Sequence, residues 1–229
     1  MNLINFFYYM YYRPKIFFPK KTYSMYGEDI IIEQFFKNKK KGFYVDIGCY
    51  HPLEGSNTYL LFKKGWNGIN ADVNSLSIEL FNRAREKDHN VNVAVSNNKQ
   101  KLKIYFRKKI NMLNTSSKKL AKINFRNGFQ ERLINARPLN EIIDKSKFNN
   151  KTIDFLNIDV EGKELSVLKS LNFSRYKPKL ICIEIHNHEK KMYAQNYDYL
   201  KRNLVYKFLI RKGYKVFWKN GFSFIFKQS

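Results

Sequence analysis

Residues 43–58 read Phe43-Tyr-Val-Asp-Ile-Gly-Cys-Tyr-His-Pro-Leu-Glu-Gly-Ser-Asn-Thr58 and tell more about the fold than any other part of the chain. The apolar run Phe43–Ile47 is rich in β-branched and aromatic residues, which predicts a short buried strand. It holds a single carboxylate, Asp46, shortly before Gly48. A carboxylate and a glycine turn at the end of a buried strand are typical of open α/β sheets that bind nucleotides beyond the carboxyl ends of their strands.

The chain after this turn predicts a helix whose first turn is capped by Ser56 or Asn57. The G-x-G-x-x-G pattern, which lets a backbone approach a pyrophosphate, is missing because only Gly48 and Gly55 are present. A ligand that has a ribose and a cationic centre but no phosphates therefore fits better. S-adenosylmethionine (SAM) is such a ligand.

A second short strand with a terminal carboxylate lies in Trp66-Asn-Gly-Ile-Asn-Ala-Asp72. In such folds an acid at the end of the second strand holds the ribose hydroxyls through charge-assisted hydrogen bonds. Asp72 has an alternative role as the cap of a helix that begins at Ser75. The sequence leaves both roles open.

The rest of the chain continues the alternation of strands and helices, which predicts a mainly parallel sheet with helices on both faces. Periodicity and turn signals predict helices over 27–36, 56–64, 75–86, 162–171 and 197–212. They predict strands over 43–47, 68–72, 91–95, 153–158, 180–185, 214–218 and 223–226. A further strand, 102–106, is expected to form a hairpin with 91–95, and residues 108–135 are expected to be irregular.

The net charge of +24, from 43 basic and 19 acidic residues, is extreme and uneven. No carboxylate lies between Asp88 and Glu131, although ten cations do: Lys99, Lys101, Lys103, Arg107, Lys108, Lys109, Lys118, Lys119, Lys122 and Arg126. Such a surface attracts polyanions, which include phosphorylated glycans, anionic membranes and nucleic acid. The alternative is a compositional bias, because lysine far exceeds arginine and asparagine is abundant.

The N-terminal residues 1–21 form an arm that is dense in aromatic residues and cations, and residues 22–229 form one α/β domain. The arm lacks the order of a secretory signal. Its composition suits a membrane interface, although packing of the arm on its own domain is the alternative. The isolated cysteines Cys49 and Cys182 have no metal-ligand spacing and are typical of a reduced protein. We therefore expect a cytoplasmic protein, with peripheral membrane contact as an option.

Four motifs in order resemble the FkbM family of SAM-dependent O-methyltransferases, and the similarity extends over about Ser24–Phe226. They are Tyr26-Gly-Glu-Asp-Ile30, Val45-Asp-Ile-Gly48 with His51-Pro52 and Ser56-Asn-Thr58, Gly65-Trp-Asn-Gly-Ile-Asn70, and Ile158-Asp-Val-Glu-Gly162. Two positions depart from the family pattern: Asn74-Ser75 replaces Asn-Pro, and Cys49 replaces a small alanine. The resemblance implies a Rossmann-like class I methyltransferase fold, with a seven-stranded sheet whose last strand is antiparallel. It also implies SAM as cofactor and a sugar hydroxyl of a glycan or glycolipid as acceptor.

On this basis the expected cofactor-binding residues are Asp46, Gly48, Tyr50, Ser56, Asn57, Asp72 and Val95. Methyl transfer to a hydroxyl is an in-line displacement that depends on positioning. A sugar hydroxyl is a poor nucleophile, so a base or a metal such as Mg²⁺ should assist.

We expect Asp159, Glu184 and His186 to surround the acceptor, because they follow strands at the ligand-binding edge of the sheet. If its strand continues, Glu184 faces the same side as His186, and the two form a base with its orienting partner or share a metal with Asp159. The alternative for Asp159 is to cap the helix that begins near Gly162. His51 and His188 are further candidates, with loop or core packing as the alternative.

A second interpretation of the charge is an RNA methyltransferase or a basic nucleic-acid-binding protein on the same fold. The chain shows no RNA-recognition motif, so no specific nucleic acid is expected as a partner. The expected partners are an acceptor glycan, itself anionic in one version of the hypothesis, and an anionic membrane surface.

Overall fold

The computed structural model describes residues 1–11, 21–187, 192–193 and 197–229, and at 186–187, 192–193 and 197–198 it describes the backbone alone. Within these residues the helices are α1 (Leu3–Tyr11), α2 (Glu28–Phe35), α3 (Tyr59–Lys63), α4 (Ser75–Ala84), α5 (Lys118–Asn124), α6 (Leu139–Asp144), α7 (Glu164–Lys169), α8 (Tyr197–Arg202) and α9 (Leu204–Arg211). The strands are β1 (Phe43–Ile47), β2 (Asn67–Asp72), β3 (His89–Asn92), β4 (Ala94–Val95), β5 (Gln100–Phe106), β6 (Gln130–Arg137), β7 (Phe155–Ile158), β8 (Leu180–Glu184), β9 (His186–Asn187), β10 (Met192–Tyr193), β11 (Tyr214–Asn220) and β12 (Ser223–Gln228).

Seven strands form the main sheet in the order β11-β12-β8-β7-β1-β2-β3. β1 pairs in parallel with β2 and β7, and the parallel pairing continues to β3 on one side and β8 on the other. The last strand, β12, is antiparallel to both of its neighbours, β8 and β11. The predicted fold class is thus confirmed: a Rossmann-like, mainly parallel seven-stranded sheet with an antiparallel last strand.

Helices cover both faces of this sheet, because successive strand residues point to opposite faces and both sides of β1 are buried. On one face Val45 and Ile47 join a hydrophobic core that includes side chains of α6, α7 and α9. On the other face Tyr44 packs with Ile32 of α2 and Leu61 of α3. A buried Ile or Leu in these clusters contributes about 1.5–3 kcal/mol of transfer free energy.

The segment after β3 forms a separate three-stranded sheet, in the order β4-β6-β5. The expected hairpin between 91–95 and 102–106 is wrong, and so is the expectation that 108–135 is irregular. β6 lies between β4 and β5, parallel to the first and antiparallel to the second, and α5 lies within the stretch expected to be irregular. Non-local pairing prevails because Ile134 and Ala136 of β6 pack against Ala94 and Ile104.

Two helices have other boundaries in the structure than the sequence predicts, and capping residues explain the differences. The predicted helix 197–212 is split into α8 and α9, since Asn203 is extended and its side chain accepts hydrogen bonds from the N–H groups of Val205 (2.8 Å) and Tyr206 (3.2 Å). Helix α3 begins only after Thr58 and has no side-chain cap, so neither Ser56 nor Asn57 caps it.

Helix α1 packs against α4 of the domain. Met10 is buried, the amino group of Met1 lies 3.6 Å from the Glu79 carboxylate, and the guanidinium of Arg83 lies 5.7 Å from the ring centroid of Phe6. This part of the predicted arm is therefore docked on its own chain, and residues 12–20 lie outside the described residues. A search of the described helices finds none that is long and apolar enough to cross a membrane.

Candidate active site

The site lies where the connections leave β1 in two directions, to β2 on one side and to β7 on the other. Such a switch point opens a crevice at the carboxyl ends of the strands. Gly48, directly after β1, has φ +80°, and a Cβ placed on it would lie 1.7 Å from the backbone oxygen of Asp159. Only glycine fits this close approach, and it holds the ends of β1 and β7 together.

A first cavity opens beside these strand ends and encloses about 750 Å³ of empty space, counting its open mouth. Its floor comes from Gly48 and Asp159, and one wall comes from the end of β2. Its apolar wall is built by the three-stranded sheet and the residue before it, namely Val93, Ala94, Val95, Leu102 and Ile104. Residues between β5 and α5 complete the lining, namely Asn111, Met112, Asn114 and Ser116.

Asp72 lines this cavity with a carboxylate that is only partly engaged. One oxygen accepts the N–H of Asn74 at 2.7 Å and the other accepts the N–H of Tyr50 at 2.9 Å. Burial raises the pKa of the Asp72 carboxyl to about 6, although these two backbone N–H groups oppose the shift. The cap of α4 is Asn74, whose side chain accepts from the N–H of Leu76, so Asp72 supports the capping turn without being the cap.

A second cavity adjoins the first and shares Gly55, Met112 and Asp159 with it. Its polar lining consists of carboxylates, amides and a hydroxyl: Glu28, Asn57, Asn157, Asp159, Glu184 and Ser223. Among the residues that the structure describes, no lysine or arginine lines this cavity.

Asp159 stands between the two cavities in a group of buried and half-buried carboxylates. Burial, followed by repulsion from Glu184 and Glu161, raises the pKa of Asp159 well above its usual value. Burial and repulsion from Glu184 and Glu164 likewise raise the pKa of Glu161 to about 8. A carboxylate whose pKa is raised is a stronger base once it is ionised.

Asp159 does not cap helix α7 in the structure. Helix α7 begins at Glu164, and its N-cap position is Lys163, which makes no side-chain cap. Glu164 instead accepts the N–H of Gly162 at 2.8 Å. Glu161 lies in the left-handed region (φ 52°), and its carbonyl accepts the hydroxyl of Thr115 at 3.0 Å.

A buried hydrogen-bond network stands behind both cavities and holds Asp46. The two oxygens of Asp46 accept from the Thr58 hydroxyl at 2.7 Å and from the Asn157 amide at 2.8 Å. The Asn157 oxygen in turn accepts from the amide of Asn57 at 2.9 Å. Burial raises the pKa of Asp46, and the hydrogen bonds from Thr58 and Asn157 oppose the rise.

Arg85 supports the same network from the far side and is almost fully buried. Its guanidinium donates to the Thr58 hydroxyl at 2.8 Å, to the Ser56 hydroxyl at 3.1 Å and to the carbonyl of Pro52 at 2.5 Å. The loop after β1 is thereby tied to the end of α4.

The residues expected to bind the cofactor fall into three positions. Gly48, Tyr50, Asp72 and Val95 line the first cavity, and Asn57 lines the second. Asp46 and Ser56 are buried in the network behind the cavities.

The expected catalytic residues are only partly brought together. Asp159 lines both cavities and Glu184 lines the second. The strand does not continue through both residues as assumed, because β8 ends at Glu184 and His186 begins the separate ribbon β9–β10. The side chain of His186 and all of His188 lie outside the described residues, so their roles stay predictions.

His51 takes the packing role. Its Nε2 lies 3.1 Å from the carbonyl of Tyr9 in α1, and its Nδ1 accepts the N–H groups of Leu53 (3.2 Å) and Glu54 (3.0 Å). Both ring nitrogens are therefore occupied, with Nε2 as the donor.

Several lining residues are not among those predicted from the sequence. Glu28 lies within the quoted motif Tyr26–Ile30, which is the available signal. Asn157 is the parallel partner of Asp46 in the sheet, so aligning β7 with β1 points to it. Met112 has no signal, because it lies in the segment that was expected to be irregular.

Across the described residues, no three or more His, Cys, Asp and Glu side chains are grouped so that they could hold a metal ion. The hypothesis of a bound Mg²⁺ therefore gains no support from the structure. Both cysteines are free and buried.

No curated protein matches the chain, but a family model does. The model of the methyltransferase FkbM domain matches residues 46–215, which is well over half of the chain and includes Gly48, Asp72, Asp159 and Glu184. The chain therefore belongs to the FkbM family of methyltransferases.

Proposed function

We propose that this methyltransferase uses SAM and transfers the methyl group to a sugar hydroxyl of a glycan or glycolipid. The observation that carries the proposal is the pair of adjoining cavities that meet at Gly55, Met112 and Asp159. A donor in the first cavity and an acceptor in the second would both lie next to the Asp159 carboxylate. That arrangement suits an in-line transfer, in which positioning supplies much of the rate.

The lining of the first cavity offers a suitable partner for each part of SAM. Each Asp72 oxygen accepts one backbone N–H, which leaves a further lone pair on each oxygen for a ribose hydroxyl. The apolar wall that includes Val93 and Val95 suits a purine ring, and Lys163 at the cavity would pair with the carboxylate of the methionine part. SAM, when bound, supplies an electrophilic methyl group on a positively charged sulfur.

The second cavity suits a neutral, hydroxyl-rich acceptor. Carboxylates and amides such as Glu28, Asn57 and Asn157 accept and donate hydrogen bonds to hydroxyl groups. The carboxylates of this lining, which has no lysine or arginine among its described residues, would repel the phosphates of RNA. This supports a sugar over the nucleic-acid interpretation of the chain's charge.

Asp159 is the base in this proposal. It accepts the proton of the acceptor hydroxyl as the oxygen takes the methyl group, and Glu184 beside it raises its basicity. Asp46 acts as a positioning residue, because its network holds Asn57 at the acceptor cavity. His186 stays a candidate partner of the base.

The test is methyl transfer from labelled SAM to two acceptors, purified envelope glycolipid and total RNA. We expect saturable labelling of the glycolipid, and mass spectrometry and NMR of the product should find one added methyl group on a sugar oxygen. Saturable labelling of RNA without labelling of glycolipid would overturn the proposal and favour an RNA methyltransferase.

A further inference from the structure

The outer side of α1 is an exposed apolar surface. Leu3, Ile4, Phe7 and Tyr8 are 61%, 79%, 52% and 63% exposed. These positions are spaced i, i+1, i+4 and i+5, so they lie on one side of the helix. We call these four side chains the α1 outer face.

We propose that the α1 outer face docks on an anionic lipid bilayer, with the helix lying in the headgroup layer. α1 has nine residues, which is far too short to span a bilayer. A short helix with exposed aromatic and aliphatic side chains binds such a surface by burying them at the boundary of headgroups and acyl chains.

The charges around the α1 outer face match an anionic surface. At the start of the helix, Arg83 donates to the carbonyl of Met1 and lies against Phe6, and Glu79 is the one carboxylate paired there. At the other end, Tyr11 lies close enough to Tyr59 of α3 to influence its ionisation, and the Lys63 ammonium lies 5.9 Å from the Tyr59 ring centroid.

Lys21, Lys63 and Lys64 line one surface depression on this side of the domain, together with one carboxylate, Glu33, which pairs with Lys64. The first 27 residues of the chain contain no carboxylate side chain. Each basic residue near an anionic bilayer contributes to attraction that falls off within a Debye length.

A second copy of the chain fits this face less well. Two copies would each bring a net charge of +24, and the repulsion opposes their approach. Four side chains also offer much less than the roughly 800 Å² that each partner buries in a stable protein interface. A negatively charged lipid surface has neither difficulty.

Docking at this face would bring the catalytic cavities near the lipid surface. His51 links the carbonyl of Tyr9 in α1 to the loop after β1, and this loop supplies Tyr50, Gly55 and Asn57 to the two cavities. If the proposed function holds, a lipid-linked sugar is the acceptor that this geometry presents. The docking itself does not depend on that function.

The experiment is sedimentation of the full-length protein with vesicles, without SAM. Vesicles of phosphatidylcholine with about 30% phosphatidylglycerol are compared with pure phosphatidylcholine. We expect binding to the anionic vesicles that weakens as salt is raised, and an at least tenfold loss of partitioning in Ile4→Glu and in Phe7→Glu. Both side chains point to solvent, so these variants should fold normally.

The matched control is Leu204→Glu, a substitution of an equally exposed residue (64%) at the start of α9, on the opposite face of the sheet. It should bind anionic vesicles like the unchanged protein.

Equal binding of Ile4→Glu and Leu204→Glu would overturn the proposal in favour of charge alone. Failure of the unchanged protein to bind, or a dimer in ultracentrifugation that Ile4→Glu dissociates, would also overturn it. Since no SAM is present, none of these outcomes bears on the proposed chemistry.

Discussion

At the scale of single residues, the carboxylates of the site differ in what satisfies them. Both oxygens of Asp46 accept side-chain hydrogen bonds inside the network, so Asp46 holds structure. Asp72 accepts only backbone N–H groups and faces the first cavity. Burial and the surrounding carboxylates raise the pKa of Asp159. These environments suit the three roles that we propose: a positioning residue, a ligand anchor and a base.

The role of Asp72 predicts a loss of cofactor affinity on substitution. Asp72→Asn removes the charge from hydrogen bonds to the ribose, so SAM binding should weaken by about 1–3 kcal/mol, or roughly 5- to 150-fold. Isothermal calorimetry measures the affinity, and circular dichroism checks that the variant is folded. An affinity equal to that of the unchanged protein would rule out the ribose contact.

The pKa of Asp72 adds a pH dependence to the same binding. Its folded pKa of about 6 is raised, so the carboxylate gains its proton as the pH falls through about 6. If the ribose binds the charged form, SAM affinity should fall with decreasing pH below about 6, by at most tenfold per pH unit for one proton. Asp72→Asn should bind with little dependence on pH over this range.

The role of Asp159 predicts a different pattern. Asp159→Asn should lower turnover by roughly 10²-fold or more, the usual cost of losing a general base, while SAM affinity stays within a few-fold. Glu164→Gln is the matched control, since Glu164 adjoins the carboxylate group but is not among the lining residues of the two cavities. Full turnover in Asp159→Asn would reject the assignment.

The crowding of these carboxylates also predicts the pH profile. Because burial and the neighbouring carboxylates raise the pKa of Asp159, kcat/KM should rise with pH above the range in which an ordinary carboxyl loses its proton. Glu161→Gln removes a charge that repels the Asp159 carboxylate, so the rise of kcat/KM should move to lower pH. A rise at unchanged pH in this variant would show that Asp159 does not govern the rate.

At the scale of elements, Arg85 joins the end of α4 to the loop after β1. Its guanidinium donates to Thr58, Ser56 and the carbonyl of Pro52, and its charge is compensated through the buried Asp46 and Asp88 networks. The loop that lines both cavities therefore depends on one buried cation.

Removal of this cation should be costly. Arg85→Met keeps most of the volume but leaves three buried hydroxyls and the carbonyl of Pro52 without this donor, and it removes a positive charge near the buried Asp46 carboxylate. We expect a loss of about 3–5 kcal/mol in unfolding free energy. Arg83→Met, which changes an arginine on the exposed side of the same helix, should stay within about 1 kcal/mol. Urea denaturation of both variants makes the comparison, and equal stabilities would contradict the role given to Arg85.

The elements that the sequence predicts best are strands buried on both faces. Phe43–Ile47 and Leu180–Glu184 are predicted because a short, continuous apolar run rich in β-branched residues is typical of an inner strand of a parallel sheet. β6 is not predicted, because most of its exposed residues are polar or charged and its partner β4 is distant in sequence. The break at Asn203 is not predicted either, because one amide cap interrupts an otherwise continuous helical pattern.

For the site, the strand-ending carboxylates Asp72, Asp159 and Glu184 could be found from the sequence, because strand ends of a parallel sheet meet at one edge. The division of these carboxylates between two cavities could not be found from the sequence. It depends on β5 and the segment up to α5, which folds over the first cavity through non-local pairing.

At the scale of the whole molecule, the net charge of +24 acts against the compact state. The 43 basic side chains far outnumber the 19 acidic ones, and Asp154 already accepts two lysines, Lys39 at 2.7 Å and Lys179 at 2.9 Å. The remaining cations repel each other across the surface. Self-repulsion of this kind destabilises a fold but is screened by salt.

Stability should therefore rise with ionic strength. Between about 20 mM and 300 mM NaCl the Debye length shortens severalfold, and a gain of about 1 kcal/mol would raise the melting temperature by roughly 2–4 °C for a chain of this size. Calorimetry or circular dichroism at each salt concentration measures the shift, and sucrose at equal osmolality serves as the uncharged control.

The double variant Lys101→Glu/Lys118→Glu lowers the net charge from +24 to +20, since each reversal removes two charges at an exposed position. Its melting temperature should be higher at low salt and should respond less to added salt. A melting temperature that falls as salt is added would mean that ion pairs such as Lys103–Glu131 outweigh the repulsion.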